Sequence, residues 1–216
     1  MFKETTQPRS PNSGPQFEAV LPCESKRTSE WNEQVVALAD CLGAVAATVE
    51  GDVSIDTDRA FDLWCETTEV VRQAERVIYL IGNGASASMA SHFAADLAKN
   101  AELHTQVFTD TSLITAVAND LSYDMVFVTP LRQRLKGGDM VVAISSSGNS
   151  PNVLKAAEWA ALRKATVVTL SAMQPDNALR QLGALNFWLP ADTYGMAETG
   201  HAAILHHWMD RVSLQR

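Results

Sequence analysis

Basic residues are in short supply. Lys and Arg number 17 against 25 Asp and Glu, which leaves a formal charge of −8, and no basic cluster occurs along the chain. Nucleic-acid binding needs a cationic stripe or patch, so the balance argues against nucleic acid as a direct partner. It does not argue against a small anion, which loops and helix ends hold locally whatever the net charge. Cysteine is also scarce. Cys23, Cys41 and Cys65 are odd in number and share no metal-type spacing, so they read as the reduced thiols of a cytoplasmic protein rather than a disulfide framework. No apolar run reaches membrane-spanning length, and the opening "MFKETTQPRSPNSGPQ" lacks the apolar stretch of a signal peptide. No repeat of solenoid period is present.

What is there is ample apolar text: 46% of the 216 residues are hydrophobic and 19% charged, enough for one domain of ordinary size with a buried core. Residues 1–30, rich in Pro, Ser, Thr and charge, read as a mobile extension, and 31–216 as a single domain. "SEWNEQVVALADCLGAVAATVE" reads as a helix opening on a Ser cap, and Thr57 to about Glu75 as a second amphipathic helix. The pattern then changes. "RVIYLIG", "HTQVFT", "DMVVAIS", "ATVVTLS" and "LNFWLP" are short apolar runs, each followed by helical text. Continuous apolar strands alternating with helices are the signature of a parallel sheet covered on both faces.

Two of the five strands end in similar text. The first runs into "GNGASAS" (Gly82–Ser88) and the third into "SSSGNS" (Ser145–Ser150), and each leads directly into a helix. Glycine allows close backbone approach, serine supplies an uncharged donor, and a helix start supplies free N–H groups at a positive dipole end. In a doubly wound sheet of order 2-1-3-4-5, strands 1 and 3 are neighbours whose C-terminal ends flank the ligand-binding switch point. Both loops then face one crevice suited to an anion. "GNGASA" also fits the dinucleotide pattern G-x-G-x-x-A, with Asp110 as a ribose-binding acid. The spacing to Asp110 exceeds the usual figure, and that reading leaves the second loop unexplained. Neither loop ends in Gly-Lys-Ser/Thr, which excludes a triphosphate-binding P-loop.

"IGNGASASMASHFAADL", "ANDLSYDMVF", "GDMVVAISSSGNSPNVLKAAEWA" and "ETGHAAILHH" together resemble the sugar isomerase (SIS) domain and, within it, the phosphoheptose isomerases. The resemblance implies a flavodoxin-like three-layer α/β fold: a five-stranded parallel sheet of order 2-1-3-4-5 with helices on both faces, preceded by N-terminal helices. It implies a homotetramer and the isomerisation of sedoheptulose 7-phosphate to a heptose 7-phosphate, the opening step of nucleotide-activated heptose synthesis, with no nucleotide cofactor. Ser145, Ser146, Ser147 and Ser150 are then expected to hold the phosphate. Asn83, Gly84, Ala85, Ser86, Asn119, Asp120 and Glu198 are expected around the sugar. The resemblance further implies a divalent metal, zinc, on His92, Asp96, Glu198 and His206, with Asp96 and His206 as the acid–base pair. Two His and two carboxylates suit zinc, and also manganese or iron. On a helix, His92 and Asp96 share a face. Glu198 and His206 lie about 80° apart around theirs, an angle that suggests convergence. The chain departs from the family's pattern at Ala85 (usually Gly), Asp96 (usually Glu) and Glu198 (usually Gln). The competing expectation is a non-catalytic SIS module that binds a sugar phosphate or a partner protein.

Overall fold

The computed structural model describes residues 30–50 and 53–214. All but the last residue of the expected 1–30 extension, with the Ser29 cap and Cys23, lies outside them. The first helix, α1 (Trp31–Gly43), begins at Glu30, whose backbone N–H donates to the Glu33 carboxylate at 3.2 Å. It stops at Gly43, earlier than its sequence suggests. "AATV" forms strand β1 (Ala46–Val49), which returns as β2 (Val53–Ile55) before α2 (Thr57–Gln73). The remaining order is β3 (Val77–Gly82), α3 (Ala85–Ala101), β4 (His104–Gln106), α4 (Thr111–Asp120), a 3-10 turn (Tyr123–Met125), α5 (Val128–Arg134), β5 (Met140–Ser145), α6 (Pro151–Leu162), β6 (Thr166–Ala172), a second 3-10 turn (Ala178–Gln181), β7 (Leu185–Leu189) and α7 (Tyr194–Leu214).

Among the described residues the sheet has seven strands, in the order β2-β1-β7-β6-β5-β3-β4. The five strands β4-β3-β5-β6-β7 are parallel and give the expected 2-1-3-4-5. The correction is the β1–β2 hairpin, which pairs antiparallel with β7 and covers an edge that would otherwise be open. Strand alternation splits the core into two layers. Ile78 and Leu80 of β3 face α2, α3 and α7, while Tyr79 and Ile81 face α4, α5 and α6. Trp208 and Trp64 stack at 4.1 Å in the first layer, and Trp208 Nε1 donates to Thr68 Oγ1 at 3.0 Å. Since β3 pairs with β5 in register, Gly82 beside Ile144, the loops that follow these two strands emerge side by side. Among the described residues no helix is long and apolar enough to cross a membrane.

Candidate active site

The two loops enclose a cavity of about 290 Å³. Asn83, Gly84, Ala85 and Ser86 line it from the first loop, and Ser145, Ser146, Ser147 and Ser150 from the second. Ile144, Tyr194 and Glu198 complete the wall, the last two from the first turns of α7. Every residue expected in the two phosphate and sugar loops is therefore present. Among the described residues no Lys or Arg lines the cavity, so the attraction they offer an anion comes from dipoles and hydroxyls.

The helix starts supply the dipoles. Two other helix starts are closed by side chains: Asp56 accepts from Arg59 N at 3.1 Å to cap α2, and Asp110 accepts from Leu113 N at 2.8 Å to cap α4. The two helices that start at the cavity have no side-chain cap. Gly84, at the start of α3, has no side chain, and the Ser150 hydroxyl at the start of α6 turns instead to Ser145 Oγ at 3.1 Å. Two positive helix ends thus face the same space without a carboxylate on them, an arrangement that favours a bound anion. Of the Ser145 and Ser150 hydroxyls, one hydrogen is spent on the other residue and one remains for a ligand. Ser147 Oγ accepts from Asn149 N at 3.3 Å and keeps its own O–H to donate.

Glycine is required at two places. Gly84, which lines the cavity, has φ of +56°, and a methyl there would meet nothing within 4 Å. Gly148 has φ of +63°, and a methyl would fall 1.9 Å from Asn177 Oδ1. Asn177 is buried and braces the serine loop from behind. Its Nδ2 donates to Ser171 Oγ at 3.1 Å and to the Gln174 carbonyl at 2.8 Å. Leu179 N–H also donates to the Gly148 carbonyl at 2.9 Å.

The four residues expected to bind metal separate into two groups. His92, Asp96 and His206 come together on the α3–α7 seam. His92 Nε2 lies 3.5 Å from Asp96 Oδ2, and the His92 and His206 rings are 5.8 Å apart between centroids. None of the three lines the cavity, whereas Glu198 does. Eight helical residues separate Glu198 from His206, a rise of about 12 Å, and eleven separate Ala85 from Asp96, about 16 Å. The turn of α7 brings Glu198 and His206 within about 80° of each other, but its rise keeps them apart. Among the described residues no three His, Cys, Asp or Glu side chains stand close enough to hold a metal ion. The implied zinc set does not form within one subunit.

Asn119 and Asp120 also stand outside the lining. They are exposed, and Asn119 Nδ2 donates to Asp120 Oδ1 at 2.9 Å. The sequence reading missed Tyr194 at the cavity, and Tyr123 and Asn152, which bond to Asn83. A further histidine lies behind the site. His201 is fully buried, and burial lowers its pKa from 6.5 to about 4. The Ser171 backbone nearby opposes this only in part, because neither ring nitrogen reaches it in hydrogen-bond geometry. Burial likewise raises the thiol pKa values of Cys41 and Cys65, which makes them unreactive.

The chain is similar to known proteins over most of its length. The SIS domain family pattern matches residues 59–172. The phosphoheptose isomerase of Shewanella oneidensis is 36% identical over 143 residues, 62% of this chain and 73% of that protein. Among solved structures, a phosphoheptose isomerase from Neisseria gonorrhoeae superposes with a TM-score of 0.71 at 26% identity, over 84% of this chain and 94% of that one. A phosphoheptose isomerase from Francisella tularensis, 20% identical, shares the fold with a TM-score of 0.72 over 85% and 95% of the two chains.

Proposed function

The chain belongs to the SIS domain family and, within it, to the phosphoheptose isomerases, and from the geometry of its site we infer that it interconverts sedoheptulose 7-phosphate and a D-glycero-heptose 7-phosphate. The observation that carries this reading is the pair of uncapped helix starts facing one hydroxyl-lined cavity. A phosphate ester fits there, held by the hydroxyls of Ser145, Ser146, Ser147 and Ser150. The sugar chain then runs past Ala85 and Ser86, and the Glu198 carboxylate accepts a hydrogen bond from one of its hydroxyls.

Aldose–ketose isomerisation needs a base at carbon and a group that moves protons at oxygen. In this reading Asp96 removes the C1 proton of the ketose, the electron pair forms the enediol double bond, and the C2 oxygen takes a proton from His206. The reverse movement returns the proton from Asp96 to C2, while the C1 hydroxyl gives its proton to the imidazole and leaves the aldehyde. Asp96 and His206 each adjoin His92 on the seam but stand off the cavity of their own subunit. We therefore assign them to the cavity of a neighbouring subunit in a homotetramer. Association has independent support: α1 and α2 expose Trp31 (77%), Val36 (59%) and Val70 (64%), more apolar surface than such helices usually leave in water. The buried free thiols of Cys41 and Cys65 fit a cytoplasmic setting.

The test is incubation with sedoheptulose 7-phosphate in deuterated water, followed by NMR. Deuterium at the carbon next to the carbonyl, with heptose 7-phosphate accumulating, is the expected result. Tight binding with neither exchange nor product would overturn the isomerase and leave a sugar-phosphate-binding module.

A further inference from the structure

The side-chain amide of Asn83 has little capacity left for a ligand. Its Nδ2 donates to Asn152 Oδ1 at 2.9 Å, and its Oδ1 accepts from Asn152 Nδ2 at 2.8 Å and from the Tyr123 hydroxyl at 3.0 Å. An amide oxygen has two lone pairs and an amide nitrogen two hydrogens. The oxygen is full and one N–H remains, so Asn83 can donate once into the cavity and cannot accept a sugar hydroxyl. Asn152 is 1% exposed, and its Oδ1 also accepts from Val153 N at 3.0 Å. The reciprocal amide pair therefore ties the first turn of α6, just behind the serine loop, to the glycine loop after β3. Tyr123, carried by the turn after α4, fixes a third element to the same oxygen.

We propose that Asn152 and Tyr123 are positioning residues that act through Asn83: they set the separation of the two loops, so that a phosphate ester held by the serines presents its sugar chain to Gly84, Ala85 and Ser86. This rests on the phosphosugar reading above. Inorganic phosphate takes its hydrogen bonds from the serine loop, and a shift of the first loop changes for it only the contribution of the α3 dipole, which in full is worth under about fivefold in affinity. A phosphosugar spans both loops and depends on where each stands. A small misplacement of groups that must align on one substrate can cost up to about a hundredfold in rate.

The test uses the full chain, with Tyr123→Phe, Asn152→Ala and the double variant. Binding of sedoheptulose 7-phosphate and of inorganic phosphate is measured by calorimetry, and kcat and KM by turnover. Tyr123→Phe removes one hydroxyl at an exposed site, so it carries the test even where Asn152→Ala does not fold. Removing one hydrogen bond of this kind predicts a loss of about 3- to 10-fold in kcat/KM for Tyr123→Phe. About 30- to 100-fold is expected for Asn152→Ala, with phosphate affinity within about twofold in both. The double variant should be no worse than about twice Asn152→Ala, because both changes act through Asn83. Equal losses of phosphate and phosphosugar affinity, or losses that multiply in the double variant, would overturn the positioning role. A wild-type protein that binds sedoheptulose 7-phosphate no better than inorganic phosphate would instead overturn the phosphosugar reading, and this proposal with it.

Discussion

Replacing Gly148 with Ala tests how the serine loop is shaped. Two costs can be read from the structure. The residue sits at φ of +63°, where an L side chain is strained by roughly 1–2 kcal/mol. The new methyl would also lie 1.9 Å from Asn177 Oδ1 and 2.2 Å from its Cγ, so Asn177 has to leave its place. Asn177 cannot swing to solvent without loss, because it is buried and its bonds to Ser171, Gln174 and the Arg180 N–H break together. Each buried group left unpaired costs about 1–3 kcal/mol. The combined effect is about 3–6 kcal/mol, a large part of the stability of an ordinary domain. Urea unfolding at one fixed protein concentration reads it directly, and with a slope of about 3 kcal/mol per molar the midpoint should fall by about 1–2 M. Gly84→Ala is the control. Its methyl meets open space, so the midpoint should fall by less while phosphosugar affinity falls more. A Gly148→Ala midpoint within about 0.3 M of wild type would refute the argument that Asn177 and Gly148 interlock.

Three further outcomes follow from the site. Ser147→Ala with Ser150→Ala removes the Ser147 donor and the partner that orders the Ser145 hydroxyl; one donor to a charged group is worth about 1.5–3 kcal/mol, so calorimetry should show phosphosugar affinity down at least about tenfold with the fold intact. Asp96→Asn should lower kcat by about 10²–10⁴-fold and leave substrate affinity within about tenfold, whereas Asp96→Glu, by displacing the carboxylate, should also slow a working enzyme. His201 has a folded pKa near 4 against an ordinary 6.5, so the unfolded chain binds the extra proton first as pH falls. Its contribution is fully present above pH 6.5 and is lost between 6.5 and 4, by about 3 kcal/mol. Denaturant midpoints taken across that window should fall with pH, and His201→Leu should flatten the part of the slope that His201 causes.

The parallel sheet was legible because its strands are buried on both faces. "VIYLIG" and "MVVAIS" then carry no polar residue to break the run, and each is punctuated by Gly or Ser where the chain turns. The β1–β2 hairpin was not legible. "AVAATV" follows α1 after Gly43 with small residues that keep helical spacing, and only pairing with β7, some 140 residues away, makes it a strand. The two cavity loops were legible for a chemical reason: glycine and serine clustered at the ends of two strands, each leading straight into a helix, have few other uses. The partners of Asn83 were not, because Tyr123 and Asn152 lie 40 and 69 residues along the chain and meet it only through the sheet register. Nothing local marked Tyr194 either, since it reaches the cavity through the placement of α7. Glu198 and His206 show the opposite error. Their angle around α7 looked favourable, but the axial rise keeps them apart.

Subunit complementation tests most directly whether the phosphate cradle and the acid–base pair of one chain serve different cavities. A serine-loop variant, Ser147→Ala with Ser150→Ala, and the Asp96→Asn variant are each purified, unfolded together, refolded as a mixture and assayed with sedoheptulose 7-phosphate. Where a cavity draws Asp96 from its neighbour, random pairing makes about one site in four intact, and the mixture recovers about a quarter of the wild-type rate. Where each cavity uses its own Asp96, every site keeps one defect. Mixed oligomers, verified by differential tags, with no activity above the sum of the two parents would contradict the account.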